Sequence, residues 1–114
     1  MPFISSRVNM PMTPQQKETV KTELGQIITL IPGKSENWLM IDLADQCELY
    51  FRGDGRDPLA FIELKIFGKI SDDTARKLTE RICDLYETQL KIKKDNIYIK
   101  YEEVSKWGWN GTNL

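Results

Sequence analysis

The sequence predicts an α/β (α+β) fold in which two β-α-β repeats form a four-stranded mixed sheet with two helices on one face. Three observations predict it. Two helical stripes of apolar residues are separated by apolar strand-like runs. Each stripe is preceded by a hydroxyl residue suited to a helix cap. The two halves, approximately 2–43 and 59–101, also align on one another. Phe3-Ile4 falls on Phe61-Ile62, Thr13 on Ser71, and Val20, Leu24, Ile27 and Ile28 on Leu78, Ile82, Leu85 and Tyr86. One residue of slip later, Asn37 meets Asn96 and Met40 meets Ile99.

The elements follow in order. Residues 3–9 read as a short strand. Thr13-Pro14 opens a helix, with Thr13 as the cap and Pro14 at the first helical position. Val20, Leu24, Ile27, Ile28 and Ile31 form one buried helix face, and Pro32-Gly33 stops the helix. Trp38 to Leu43 reads as a mostly apolar strand, and 46–57 as a short strand with a Gly-rich hairpin turn. Residues 59–67 form the strand that opens the second repeat. Ser71-Asp72-Asp73 caps its helix and gives it an acidic first turn. Ala75, Leu78, Ile82, Leu85 and Tyr86 make its stripe, 96–101 the closing strand, and Trp107 to Gly111 a further short strand and turn. Two helices on one face leave the other uncovered. Strand residues there are apolar or aromatic in several places, which points to an oligomer interface.

The 114 residues suit one domain, 1–114, with 16 Lys+Arg, 17 Asp+Glu and a net charge of −1. That balance argues against a nucleic-acid partner, which needs a basic stripe. No apolar run reaches the roughly 20 residues of a membrane span, and the N-terminus does not read as a signal peptide. The expected location is the cytoplasm, with Cys47 and Cys83 as reduced thiols. The chain has no histidine, which removes Ser-His-Asp and Cys-His nucleophiles and His-containing zinc sites. A base working near neutral pH must then be a perturbed carboxylate, a perturbed lysine or the α-amino group.

Pro2 follows the initiator Met, and removal of Met1 would leave a terminal secondary amine. Burial or a nearby cation would lower its pKa and make it a neutral base at working pH. A Met-Pro start alone reads as an ordinary start, but Phe3-Ile4 begins a strand at once and so would hold the amine in the fold. Lys34, after Gly33, reads either as a helix-end lysine or as a cation beside that amine that binds a substrate carboxylate. Trp38, Tyr98, Trp107 and Trp109 either wall a flat aromatic ligand or pack between subunits.

Pro2 before a strand, Gly33-Lys34 with Trp38 after it, Phe67-Gly68-Lys69-Ile70, Ile97-Tyr98-Ile99 and Gly108-Trp109-Asn110-Gly111-Thr112 occur in an order that resembles the macrophage migration inhibitory factor family of the tautomerase superfamily. The resemblance runs nearly end to end. It implies a homotrimer whose sheets surround a central channel, with an active site at each subunit interface. It implies Pro2 as catalytic base, Lys34 as the carboxylate-binding lysine, and Tyr98 as a pocket residue from the neighbouring subunit. Trp38, Phe67, Trp107 and Trp109 complete the walls. The implied reaction is keto–enol tautomerisation of phenylpyruvate-type 2-keto acids without a metal or organic cofactor. The alternative in the same family is a cytokine-like ligand that binds a receptor. The sequence departs from the family pattern at Lys100, Phe67 and Leu114. It also lacks the family's thiol pair, having Leu59-Ala60-Phe61-Ile62 in that region, so thiol–disulfide activity is not implied.

Overall fold

Strand alternation and helix capping build this molecule from its first residues. The computed structural model describes residues 1–114. Strand β1 is Pro2–Val8, helix α1 Pro14–Ile27, β2 Met40–Ala44, β3 Ala60–Phe67, α2 Asp72–Leu90 and β4 Ile97–Val104. A two-stranded hairpin, β5 Gly108–Trp109 and β6 Thr112–Asn113, ends the chain. The main sheet has the order β2-β1-β3-β4. β1 and β2 run parallel, as do β3 and β4, and β1 and β3 are antiparallel. This is the mixed sheet expected of two β-α-β repeats joined side by side.

Alternation decides the faces. Ile4, Ser6 and Val8 of β1 and Ala60, Ile62, Leu64 and Ile66 of β3 are buried beneath the helices. They form one core with Val20, Leu24, Ile27 and Ile28 from the first helical stretch and Leu78, Ile82, Tyr86 and Leu90 of α2. Ser6 is the polar exception within β1. Its hydroxyl accepts a hydrogen bond from the buried Tyr86 phenol, so neither group is left unpaired.

The caps are the predicted ones. Thr13 accepts from the Gln16 N–H while the Gln16 side chain accepts from the Thr13 N–H, and Pro14 opens the helix. Ser71 caps α2 through the Thr74 N–H. The first helix does not run unbroken to Pro32. It tightens into a 3₁₀ turn at Ile28–Leu30, and Ile31 turns extended, as a residue before proline must. Gly33 then takes a left-handed φ of 79°.

Two expectations are corrected. Trp38 is not in a strand: the Glu36–Trp38 stretch is a 3₁₀ turn, and β2 starts at Met40. The reason is length. Met40 pairs with Phe3, near the start of β1, so residues before it have little strand to lie against. Segment 46–57 forms no strand beyond one bridge between Phe51 and Asp54, closed around Arg52-Gly53 in positive φ. The uncovered face is apolar or aromatic in several places, as expected, at Phe3, Met40, Phe61, Phe67 and Tyr98; it also carries Asp42, Glu63, Lys65, Lys100 and Glu102 through its middle and Arg7 beside Phe61.

Candidate active site

The N-terminus is fixed by pairing. Pro2 lies opposite Ile66, and the Met1 carbonyl accepts from the Phe67 N–H at 3.1 Å. The chain start is thus bonded into the sheet. The turn at Pro32-Gly33 brings Lys34 to the same place, where its Nζ donates to the Phe67 carbonyl at 3.1 Å. Burial, and then the hydrogen bond and positive charge of Lys34, push the terminal amine of Met1 down from 8.0 to about 6. With Met1 attached, the Pro2 nitrogen is an amide and has no basicity. Removal of Met1 exposes a secondary amine beside the same lysine.

Two local motifs supply the walls. The 3₁₀ turn carries Trp38, held by Trp38 N–H to Ser35 O and Leu39 N–H to Glu36 O. The tail hairpin carries Trp109. Its turn is Asn110-Gly111, both with positive φ, and the Leu114 N–H closes it on the Trp107 carbonyl at 2.9 Å. The Trp38 and Trp109 rings meet edge to face at 5.1 Å and 86°. Together with Met1, Pro2, Phe3, Met40, Lys65 and Trp107 they line an open groove of about 720 Å³.

The single chain therefore gathers Pro2, Trp38, Trp107 and Trp109 along the groove, with Lys34 beside the chain start on the Phe67 carbonyl. Phe67 contributes its backbone, as acceptor for Lys34 and donor to Met1; its ring is not part of the groove wall. Tyr98 lies elsewhere. It pairs with Phe61, which faces Arg7, five residues along β1 from Pro2. At about 3.3 Å per residue that is roughly 17 Å along the sheet, with two strand spacings across it besides. There the Phe51 ring meets Tyr98 edge-on at 4.9 Å, and Leu49, Tyr50, Leu59, Phe61 and Asn96 complete a small apolar pocket.

Sequence reasoning missed two residues. Lys65 reaches the groove because antiparallel register sets it opposite Phe3. Phe51 reaches Tyr98 because the 51–54 turn folds back over the start of β4. Alternation along 59–67 could have put Lys65 on the uncovered face, but not at the Pro2 end of it. No group of three or more carboxylate or thiol side chains gathers to hold a metal. Cys47 and Cys83 are free, and no helix is long and apolar enough to cross a membrane.

The family model for macrophage migration inhibitory factor (MIF) matches residues 1–114. The macrophage migration inhibitory factor of Xenopus laevis is 28 % identical over 116 residues, covering 100 % of this chain and 99 % of the relative. Among solved structures, Leishmania major MIF2 superposes with a TM-score of 0.91 at 26 % identity, over 100 % of this chain and 97 % of that one. The homologue from Prochlorococcus marinus gives 0.81 at 26 % identity, over 97 % of each chain. A proline next to the chain start and held in a β-α-β-β-α-β sheet, a lysine beside it and a family match over residues 1–114 lead to one assignment: the chain belongs to the macrophage migration inhibitory factor family of the tautomerase superfamily.

Proposed function

We propose that the protein is a cofactor-independent keto–enol tautomerase for phenylpyruvate-type 2-keto acids, with Pro2 as general base once Met1 is removed. The observation that carries this reading is the chain start itself. It is bonded into the sheet beside Lys34, in surroundings that already lower an amine pKa to about 6, and it opens onto an indole-walled groove. An amine so placed is neutral at physiological pH and takes a proton from the carbon next to the keto group. The Lys34 ammonium binds the substrate carboxylate or carbonyl oxygen and stabilises the enolate as it forms. The protonated Pro2 then returns the proton at the other position. Trp38, Trp107 and Trp109 hold the aryl group, with Phe67 at the margin.

The working unit in this reading is a homotrimer with sites at the subunit interfaces. Tyr98 of one copy completes the site of the next, which accounts for its distance from Pro2 within one chain. Three copies of 13.3 kDa give about 40 kDa. The test is an ultraviolet assay of phenylpyruvate ketonisation, with intact mass to establish loss of Met1 and sedimentation to establish assembly. A processed, folded trimer with no activity overturns the reading, as does a Met1-blocked trimer that turns over as fast as the processed one.

A further inference from the structure

The groove beside Pro2 holds a cation with no assigned task. Lys65 stands in β3 opposite Phe3, and its ammonium lies 6.0 Å from the centre of the Phe3 ring. It lines the same wall as Pro2, Trp38 and Trp109, and no carboxylate lines that wall. Three acids share its face. Glu102 lies in register across β4 and feels the Lys65 charge, but is paired with Lys100 at 2.8 Å; Glu63 lies two residues back along β3, and Asp42 lies on β2, beyond β1. Lys65 takes part in no ion pair, and neither does Lys34, whose Nζ donates to the Phe67 carbonyl and sits beside the Met1 amine.

Lys65 therefore faces the groove and Lys34 stands behind its Pro2 end, on the Phe67 carbonyl, and neither has a carboxylate partner. Like charges repel, and a ligand with one carboxylate balances only one of them. A ligand with two anionic groups balances both and gains a second charge-assisted contact. We propose that Lys65 is a second anion-binding residue of this site and that its preferred substrates are dianionic: 2-keto acids with a further carboxylate on the aryl group. Lys34 takes the carboxylate next to the keto group, the indoles take the ring, and Lys65 takes the distal carboxylate. The reaction assigned to these substrates rests on the tautomerase reading; the binding preference does not.

The test compares phenylpyruvate with 4-carboxyphenylpyruvate, which differ by one charge on the same ring. The processed wild type is expected to favour the carboxylated compound by roughly tenfold in kcat/KM, through KM rather than kcat. Lys65→Ala removes that ratio, Lys65→Arg retains it, and added salt weakens it. A wild type without the preference, or a Lys65→Ala variant that slows both compounds equally, overturns the proposal. Quenching of indole fluorescence by each compound gives the same comparison without turnover. If neither compound is turned over, the tautomerase reading falls. Tighter, Lys65-dependent quenching by the carboxylated compound still upholds the dianion site, and equal quenching by the two overturns it.

Discussion

The two ends of the uncovered sheet face are built from opposite materials. The Pro2 end has an amine held in the sheet, two lysines without carboxylate partners and three indoles around an open groove. The Tyr98 end is a close aromatic cluster of Tyr98, Phe51 and Phe61, with the Arg52 guanidinium 4.3 Å above the Phe51 ring. One end has the terminal amine and cations but stands open. The other has an exposed phenol and aromatic surface but no base. The strands between them are too stiff to bring the two together in one chain. In the proposed trimer each end is half of a site, and the halves meet between copies.

The largest expected effect breaks the Pro2 end. Pro2→Ala leaves a primary amine at the same point of the sheet, so assembly and thermal unfolding stay as they are. Turnover falls by roughly 10²–10⁴-fold, the range for loss of a positioned base. The next effect joins the ends. Tyr98→Ala lowers kcat/KM by about tenfold, even though Tyr98 lies far from Pro2 within its own chain. Refolding Pro2→Ala and Tyr98→Ala subunits together restores sites that pair an intact Pro2 with an intact Tyr98. A mixture no more active than its parts would mean that the two ends never meet.

A smaller effect sharpens the electrostatics of the Pro2 end. In chains that keep Met1, the terminal amine titrates at about 6, lowered first by burial and then by Lys34. Lys34→Ala raises it part of the way back to 8.0, because burial remains; pH-dependent amine labelling reads the change. The sign for stability follows. The folded pKa is depressed and the group is cationic when protonated, so between about 6 and 8 the unfolded chain binds more protons. This amine therefore makes the fold more stable as pH rises through that window, and Lys34→Ala narrows the window. In the processed enzyme, kcat/KM rises with pH and levels off above the Pro2 pKa, and Lys34→Ala moves that rise to higher pH.

The smallest effect lies under both ends. Tyr86→Phe removes the buried bond to Ser6 and leaves the Ser6 hydroxyl without that partner. It costs about 1 kcal/mol of stability in denaturant titration and leaves the pH profile of turnover where it was. A changed profile would mean that the helix layer reaches the site.

Much of the helix layer is readable along the chain because its signals are local. Thr13 and Ser71 cap the residues three ahead of them, and the stripe from Val20 to Ile28 shares the helix repeat. Pro2, Lys34 and the tail indoles could be named as candidates because their chemistry belongs to the residues themselves. The end of the 28–31 stripe was less legible. The helical spacing continues there, while the approaching proline already demands an extended residue.

The sequence by itself determined the alternation of β3, both helix caps, the apolar faces and the proline that follows Met1. Each depends on bonds and periodicities within a few residues. Only the tertiary structure decided that Trp38 turns out of the sheet, that the uncovered face is charged through its middle, that Lys65 stands beside Pro2 and that Tyr98 stands at the far end. Those placements depend on which residue of one strand lies opposite which residue of another. A shift of register by two leaves every side chain on the same face and every periodicity intact, yet carries a side chain nearly 7 Å along the sheet.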